Sequence, residues 1–121
     1  MLRAALTALL VIASPALADS PCVAGCTTEL GTYNVRVPDG PGPHPVLLHL
    51  HGMGGTGDGV LRGGTAKAAL ARGYAVIAPD GWQPISRYPK NWGVYDGRPY
   101  TRDDTAFLRE VLADAAEDHP I

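Results

Sequence analysis

The chain has 121 residues, with 15 glycines, 11 prolines, two cysteines and a formal net charge of −2. That length suits one small domain, and so much Gly and Pro clustered at turns points to a loop-rich α/β domain rather than a helical bundle. The ten Lys and Arg residues form no run, which argues against nucleic acid as a partner.

The first segment, MLRAALTALLVIASPALA, reads as a secretory signal peptide. Arg3 supplies a positive start, an apolar stretch runs through Ile12, and Ala16-Leu17-Ala18 is an A-x-A cleavage pattern. Cleavage is expected before Asp19, leaving residues 19–121 secreted to the periplasm or the medium and removing Arg3, so that −2 becomes −3. The apolar run is too short for a bilayer span and Pro15 interrupts it, so no transmembrane segment is expected. Cys22 and Cys26 follow. Export permits a disulfide between them. A small N-terminal staple is preferred over a redox or metal pair, because no His or further Cys lies nearby in sequence. "VAGC" at 23–26 resembles a lipoprotein box, but Asp19, Ser20 and Pro21 separate it from the apolar run, so a lipid anchor is not expected.

"TYNVRVP" alternates, with Tyr33, Val35 and Val37 on one face, and predicts a half-buried strand in an antiparallel pair. "DGPGPHP" predicts a turn. "VLLHL", residues 46–50, is a nearly continuous apolar run and predicts a central strand buried on both sides. After a glycine loop, "TAKAALARG" predicts a helix with Ala66, Ala69 and Leu70 inward and Gly73 just past its end. "YAVIAPD", residues 74–80, predicts a second buried strand, parallel to the first across the helix. Residues 81–100 form a long loop containing Trp82, Tyr88, Trp92, Tyr95 and Tyr100. Loops of that length in small domains are commonly functional, although rings can equally cover a sheet edge. A helix is expected from Thr101, with a capping box to Asp104, an inner face of Phe107, Leu108, Val111, Leu112 and Ala115, and Arg109, Glu110 and Asp114 outside.

The stretch HLHGMGGTGDG at 49–59 admits three chemistries. Gly52-Met53-Gly54-Gly55-Thr56-Gly57 matches a G-x-G-x-x-G dinucleotide fingerprint, with Asp80 as the acid further on. That motif needs a helix to open at the loop. Gly59, Gly63 and Gly64 would each cost such a helix about 1 kcal/mol, so an oxidoreductase ranks third. His49 and His51 invite a metal, but Met53 and Gly54 stand where a third, acidic ligand would be wanted, so neither metal nor cofactor is expected. The remaining reading is an oxyanion loop. An ester hydrolase needs preorganised backbone N–H groups for its tetrahedral intermediate, one of them from the loop after the third strand in α/β-hydrolases.

"LHLHGMGGTGDG", "ARGYAVIAPDGW", Asn91-Trp92 and "RDDTAFLREVLADAAEDHPI" together resemble the secreted polyhydroxybutyrate depolymerase and feruloyl-esterase-like branch of the α/β-hydrolases, in order from about Cys22 to the last residue. The resemblance implies that residues 19–121 are the N-terminal portion of an α/β-hydrolase domain, antiparallel strand first, then a parallel βαβ unit and a helix. It implies an ester substrate and a Ser-His-Asp acyl-enzyme route. His51, Gly52 and Gly54 would shape the oxyanion loop, with the Met53 backbone N–H as donor. Asp80, Trp82, Asn91 and Trp92 would line or brace the cleft. The G-x-S-x-G nucleophile elbow of that family is not found: the serines are Ser14, Ser20 and Ser86, none between glycines. The 121-residue chain is therefore expected to be inactive alone, and its last buried strand, residues 75–78, to lack a neighbour. The alternative is a non-catalytic secreted binding protein derived from the same fold.

Overall fold

A computed structural model describes residues 19–93 and 101–121. The expected signal peptide, with its cleavage pattern, and Tyr95 and Tyr100 of the long loop lie outside the described residues. Four strands, β1 (Cys26–Thr27), β2 (Thr32–Arg36), β3 (Val46–Leu48) and β4 (Ala75–Pro79), and three helices, α1 (Gly57–Leu61), α2 (Gly64–Ala71) and α3 (Asp104–Asp118), make up the described fold.

The strands form one mixed sheet in the order β1-β2-β4-β3. β2 pairs antiparallel with β4, with Asn34 opposite Ala78 and Val35 opposite Ile77, and β3 pairs parallel with β4 through Leu47 and Val76. The fold is thus α/β with a sheet of few strands, and the parallel strand–helix–strand unit is present. Two expectations are corrected. β4, not β3, is the central strand, and its neighbours on both edges leave no orphan at residues 75–78. Composition explains this. Every residue of AVIAP is buried, so β4 gains most by insertion between two partners, while all three residues of β3 stay partly exposed at the edge.

Helices cover both faces. On one, α3 lays Phe107, Val111 and Ala115 against Tyr33, Val35, Ile77 and Cys26. On the other, Leu61 of α1 and Ala66 of α2 pack on Val76 and Ala78. The α2 end follows its sequence signal. Gly73 takes φ +84° and donates to the Leu70 carbonyl, while Tyr74 N–H returns to Ala69. α1 was not expected among so many glycines. It forms because the Thr56 hydroxyl accepts from Gly59 N–H at 2.9 Å and Leu61 is anchored in the core, but it stops after five residues.

α3 is capped by Asp103, whose carboxylate accepts from Ala106 N–H, and not by Thr101. Asp104 is drawn instead to Arg102 and to Gly93 N–H. Glu110 and Asp114 do not sit on an outer face, since Glu110 accepts from Leu30 N–H and Asp114 from the Tyr33 hydroxyl at 2.7 Å. Burial, and then that Asp114 contact, push the Tyr33 hydroxyl well above its ordinary range. Cys22 and Cys26 form a disulfide. His119 at the end of α3 lies 2.7 Å from the Cys22 carbonyl, which ties the staple to the helix.

Two glycines test the packing. A Cβ on Gly57 would lie 2.1 Å from the Ala78 carbonyl oxygen, whereas one on Gly64 meets nothing within 4 Å. Gly57→Ala is expected to destabilise by about 2–3 kcal/mol in urea unfolding, and Gly64→Ala to stabilise by about 0.5–1 kcal/mol. Equal effects would show that α1 is not seated on β4.

Candidate functional site

Where β3 ends, His49 N–H still donates to the Ile77 carbonyl, and the chain then turns across the C-terminal ends of β3 and β4. His51 is buried there, 4 % exposed. Gly81 N–H donates to its Nε2 at 2.8 Å, so that nitrogen carries a lone pair; the ring proton therefore sits on Nδ1, 2.6 Å from the Gly52 carbonyl. Its backbone carbonyl accepts from the Trp92 indole at 2.8 Å, and the two rings pack with centroids 5.3 Å apart. With both ring nitrogens engaged, His51 is a frame element, not a free base.

Gly52 to Gly55 form a tight turn closed by Gly55 N–H to the Gly52 carbonyl at 3.0 Å. Gly54 takes φ +78°, as the third position of a type II turn requires. Its N–H donates to the Lys90 carbonyl at 2.8 Å, docking the turn onto the 81–93 loop. Met53 occupies the corner. The residue is 75 % exposed, and its backbone N–H has no partner among the described residues.

Asp80 fixes this frame from below. Its carboxylate accepts from Gly57 N–H and the Thr32 hydroxyl, each at 3.0 Å, and pairs with Lys90 at 3.2 Å. Burial pushes the carboxyl up, but these donors outweigh burial and hold it below the usual carboxylate range. Gly81 follows, pressed so closely that a Cβ would lie 2.7 Å from the Asn91 carbonyl oxygen. Trp82 and Asn91 exchange two backbone hydrogen bonds, at 2.7 and 3.1 Å, closing the loop between them.

The structure therefore gathers His51, Gly52, Met53, Gly54, Asp80, Trp82, Asn91 and Trp92 into one hydrogen-bonded frame. Asp80 and Trp92 brace it from within, while Trp82 and Asn91 keep exposed surface. The Cys22–Cys26 staple lies apart, tied to the C-terminal end of α3.

Arg102 was not anticipated from sequence. Its side chain is only 4 % exposed. It donates to Asp104 at 2.7 Å and to the Leu30 and Asp80 carbonyls, each at 3.2 Å. Its guanidinium lies 3.6 Å from the Phe107 ring centre and within 6 Å of Trp82 and Trp92. The only available signal was the Arg-Asp-Asp run itself, which reads equally well as a solvated helix start.

Ser20 and Ser86 are the described serines, and both are exposed. Among the described residues no histidine is hydrogen-bonded to a serine or a carboxylate. His49 Nδ1 is buried without a partner. No group of three His, Cys, Asp or Glu among the described residues is placed to hold a metal ion. Likewise among the described residues, no helix is long and apolar enough to cross a membrane. No family model, curated protein or solved structure matches the chain.

Because the Asp80 carboxyl is held low, its contribution to stability is complete above the unfolded carboxylate pKa of about 3.9 and is lost as pH falls through the lowered folded value. Asp80→Asn is expected to cost about 1–3 kcal/mol at neutral pH and to flatten the acid limb of a stability–pH profile. An unchanged acid limb would remove Asp80 from the frame.

Proposed function

We propose that this chain carries the oxyanion-binding loop of a secreted carboxylic-ester hydrolase of the polyhydroxybutyrate depolymerase and feruloyl-esterase-like type. The observation that carries the reading is the Met53 N–H: it has no partner among the described residues and stands at the corner of a turn held by Gly55 N–H and His51 Nδ1 on the Gly52 carbonyl and by Gly54 N–H on Lys90. A donor held rigid before substrate arrives stabilises a developing oxyanion without reorganisation. The antiparallel strand followed by a parallel strand–helix–strand unit and a helix agrees with this reading, and so does a disulfide compatible with an oxidising compartment. The nucleophile would attack the ester carbonyl, and Met53 N–H would supply one of the two donors to the resulting oxyanion. Neither described serine has a base beside it, so the 121-residue chain is proposed not to turn over esters by itself.

A binding protein without chemistry is the second reading. Met53, Trp82, Ile85 and Tyr88 favour it, since they expose apolar surface around the same turn. A dinucleotide is less well served, because Gly57 N–H, the first of its helix, already donates to the Asp80 carboxylate.

Amide NMR of the 121-residue chain, titrated with an alkylphosphonate monoester as an oxyanion mimic, separates these readings. Saturable movement of the Met53 amide, with p-nitrophenyl ester hydrolysis at background, is the expected result. Shifts at Trp82, Ile85 and Tyr88 with a silent Met53 amide would sink the hydrolase reading in favour of the binding module.

A further inference from the structure

Away from the Met53 turn, on the sheet face that carries α1 and α2, a groove of about 440 Å³ opens over β2. Asn34 and Arg36 line it from β2, Val37 from just beyond that strand, Asp58 and Leu61 from α1, and Leu70 from α2. That volume lies within the range of small-molecule sites.

Asn34 is the unusual member. It is 7 % exposed, and its carbonyl oxygen is satisfied by Gly25 N–H at 3.0 Å. Its amide NH₂ has no partner among the described residues, yet it is not a sealed buried atom; among those residues only His49 Nδ1 is both buried and unpartnered. Asn34 lines the groove, and its NH₂ lies beside Gly57 at the start of α1, 3.0 Å from where a Cβ there would stand. With the residue more than nine-tenths buried, this donor has little room for water, and an acceptor that enters the groove would satisfy it. Arg36 adds a second donor. One of its N–H groups makes a long 3.4 Å contact to the Leu61 carbonyl, and the rest of the guanidinium has no partner among the described residues. The acceptor at the rim, Asp58, is already paired with Arg62. Two free donors, one of them cationic, beside Leu61, Leu70 and Val37 fit a ligand with acceptor oxygens at one end and an aliphatic body.

We infer that this groove binds an aliphatic monocarboxylate, the carboxylate on Asn34 and Arg36 and the chain along Leu61 and Leu70. The inference does not depend on the ester-hydrolase reading, because the groove shares none of that frame's residues.

Three probes of matched length test it by amide NMR on the whole chain: octanoate, octanol and octylamine. Octanoate is expected to shift Asn34, Arg36, Leu61 and Leu70 saturably, about tenfold more tightly than either of the others. Arg36→Gln is expected to erase that preference. Leu70→Trp, which places a ring at the rim of the groove, is expected to weaken octanoate binding about tenfold, and unchanged octanoate binding in that variant would overturn the inference should Arg36→Gln fail to fold. Equal binding of octanol would reduce the groove to an apolar slot and overturn the inference. So would shifts confined to Met53 and Trp82, or concentration-dependent broadening of the groove residues without ligand, which would indicate a second copy of the chain there. Octanoate binding together with a silent Met53 amide in the phosphonate titration would leave this site standing and the hydrolase reading lost.

Discussion

Asp80 holds the molecule together at the point where its parts meet. It is the first residue after the central strand, so its backbone lies at the middle of the sheet's C-terminal edge. Its N–H reaches the Thr32 carbonyl of β2, its carbonyl accepts from Arg102, and its carboxylate serves Thr32, Gly57 and Lys90. Strand, short helix, loop and the lead into the long helix thus converge on one residue. A partly buried carboxylate is tolerable only because these donors compensate its desolvation, so removing one partner leaves the others facing an unpaired charge. The same logic explains the neighbouring glycines. Gly57 and Gly81 approach backbone so closely that a methyl group would displace the very atoms Asp80 and His51 organise.

A second layer rests on the first. Arg102 is held by the Asp80 and Leu30 carbonyls and by Asp104, and it presents its planar face to Phe107 and its charge to two indoles. Gly31 leaves room for it, since a Cβ there would meet the guanidinium at 2.6 Å. Through Trp92 the arrangement reaches the His51 carbonyl, and through Asp104 it reaches Gly93 N–H. The loop carrying the exposed Trp82, Ile85 and Tyr88 is thereby fastened at both ends, although its middle makes few contacts with the core. Order at the ends and exposure between them suit a surface that meets a ligand.

Local rules carried the sequence reading where a few neighbouring residues decide the outcome. The Gly73 helix stop and the parallel pairing of residues 46–48 with 75–77 follow from spacing alone, as does most of the α3 stripe: Phe107, Val111 and Ala115 are buried and Leu108 is partly so, but Leu112, expected on the same face, is exposed. The glycine turn was placed correctly because only a few backbone forms suit Gly52-Met53-Gly54-Gly55. What sequence did not reveal depends on partners distant in the chain. Which apolar strand is central is settled by β2, some forty residues before β4, and hydrophobicity cannot rank two short apolar runs. Glu110 and Asp114 look like solvated helix charges until Leu30 arrives from the β1–β2 turn and Tyr33 from β2. Arg102 is the extreme case, a cation buried by rings and carbonyls contributed from four separate segments.

The histidines bear most directly on chemistry. A general base must keep a ring nitrogen free for the proton it takes. His51 keeps neither, because Gly81 and Gly52 occupy both. Its contribution is therefore geometric: it holds the Gly52 carbonyl and with it the orientation of the Met53 N–H, which belongs to the same peptide. That is what a preorganised donor needs, since a turn free to rotate would lose its advantage to reorganisation on each encounter. Under the proposed reading the turn supplies electrostatic stabilisation and leaves proton transfer to other groups. Such a division asks for a backbone N–H without a protein partner at an exposed corner, and Met53 meets that demand among the described residues, where solvent is within reach until a better acceptor displaces it.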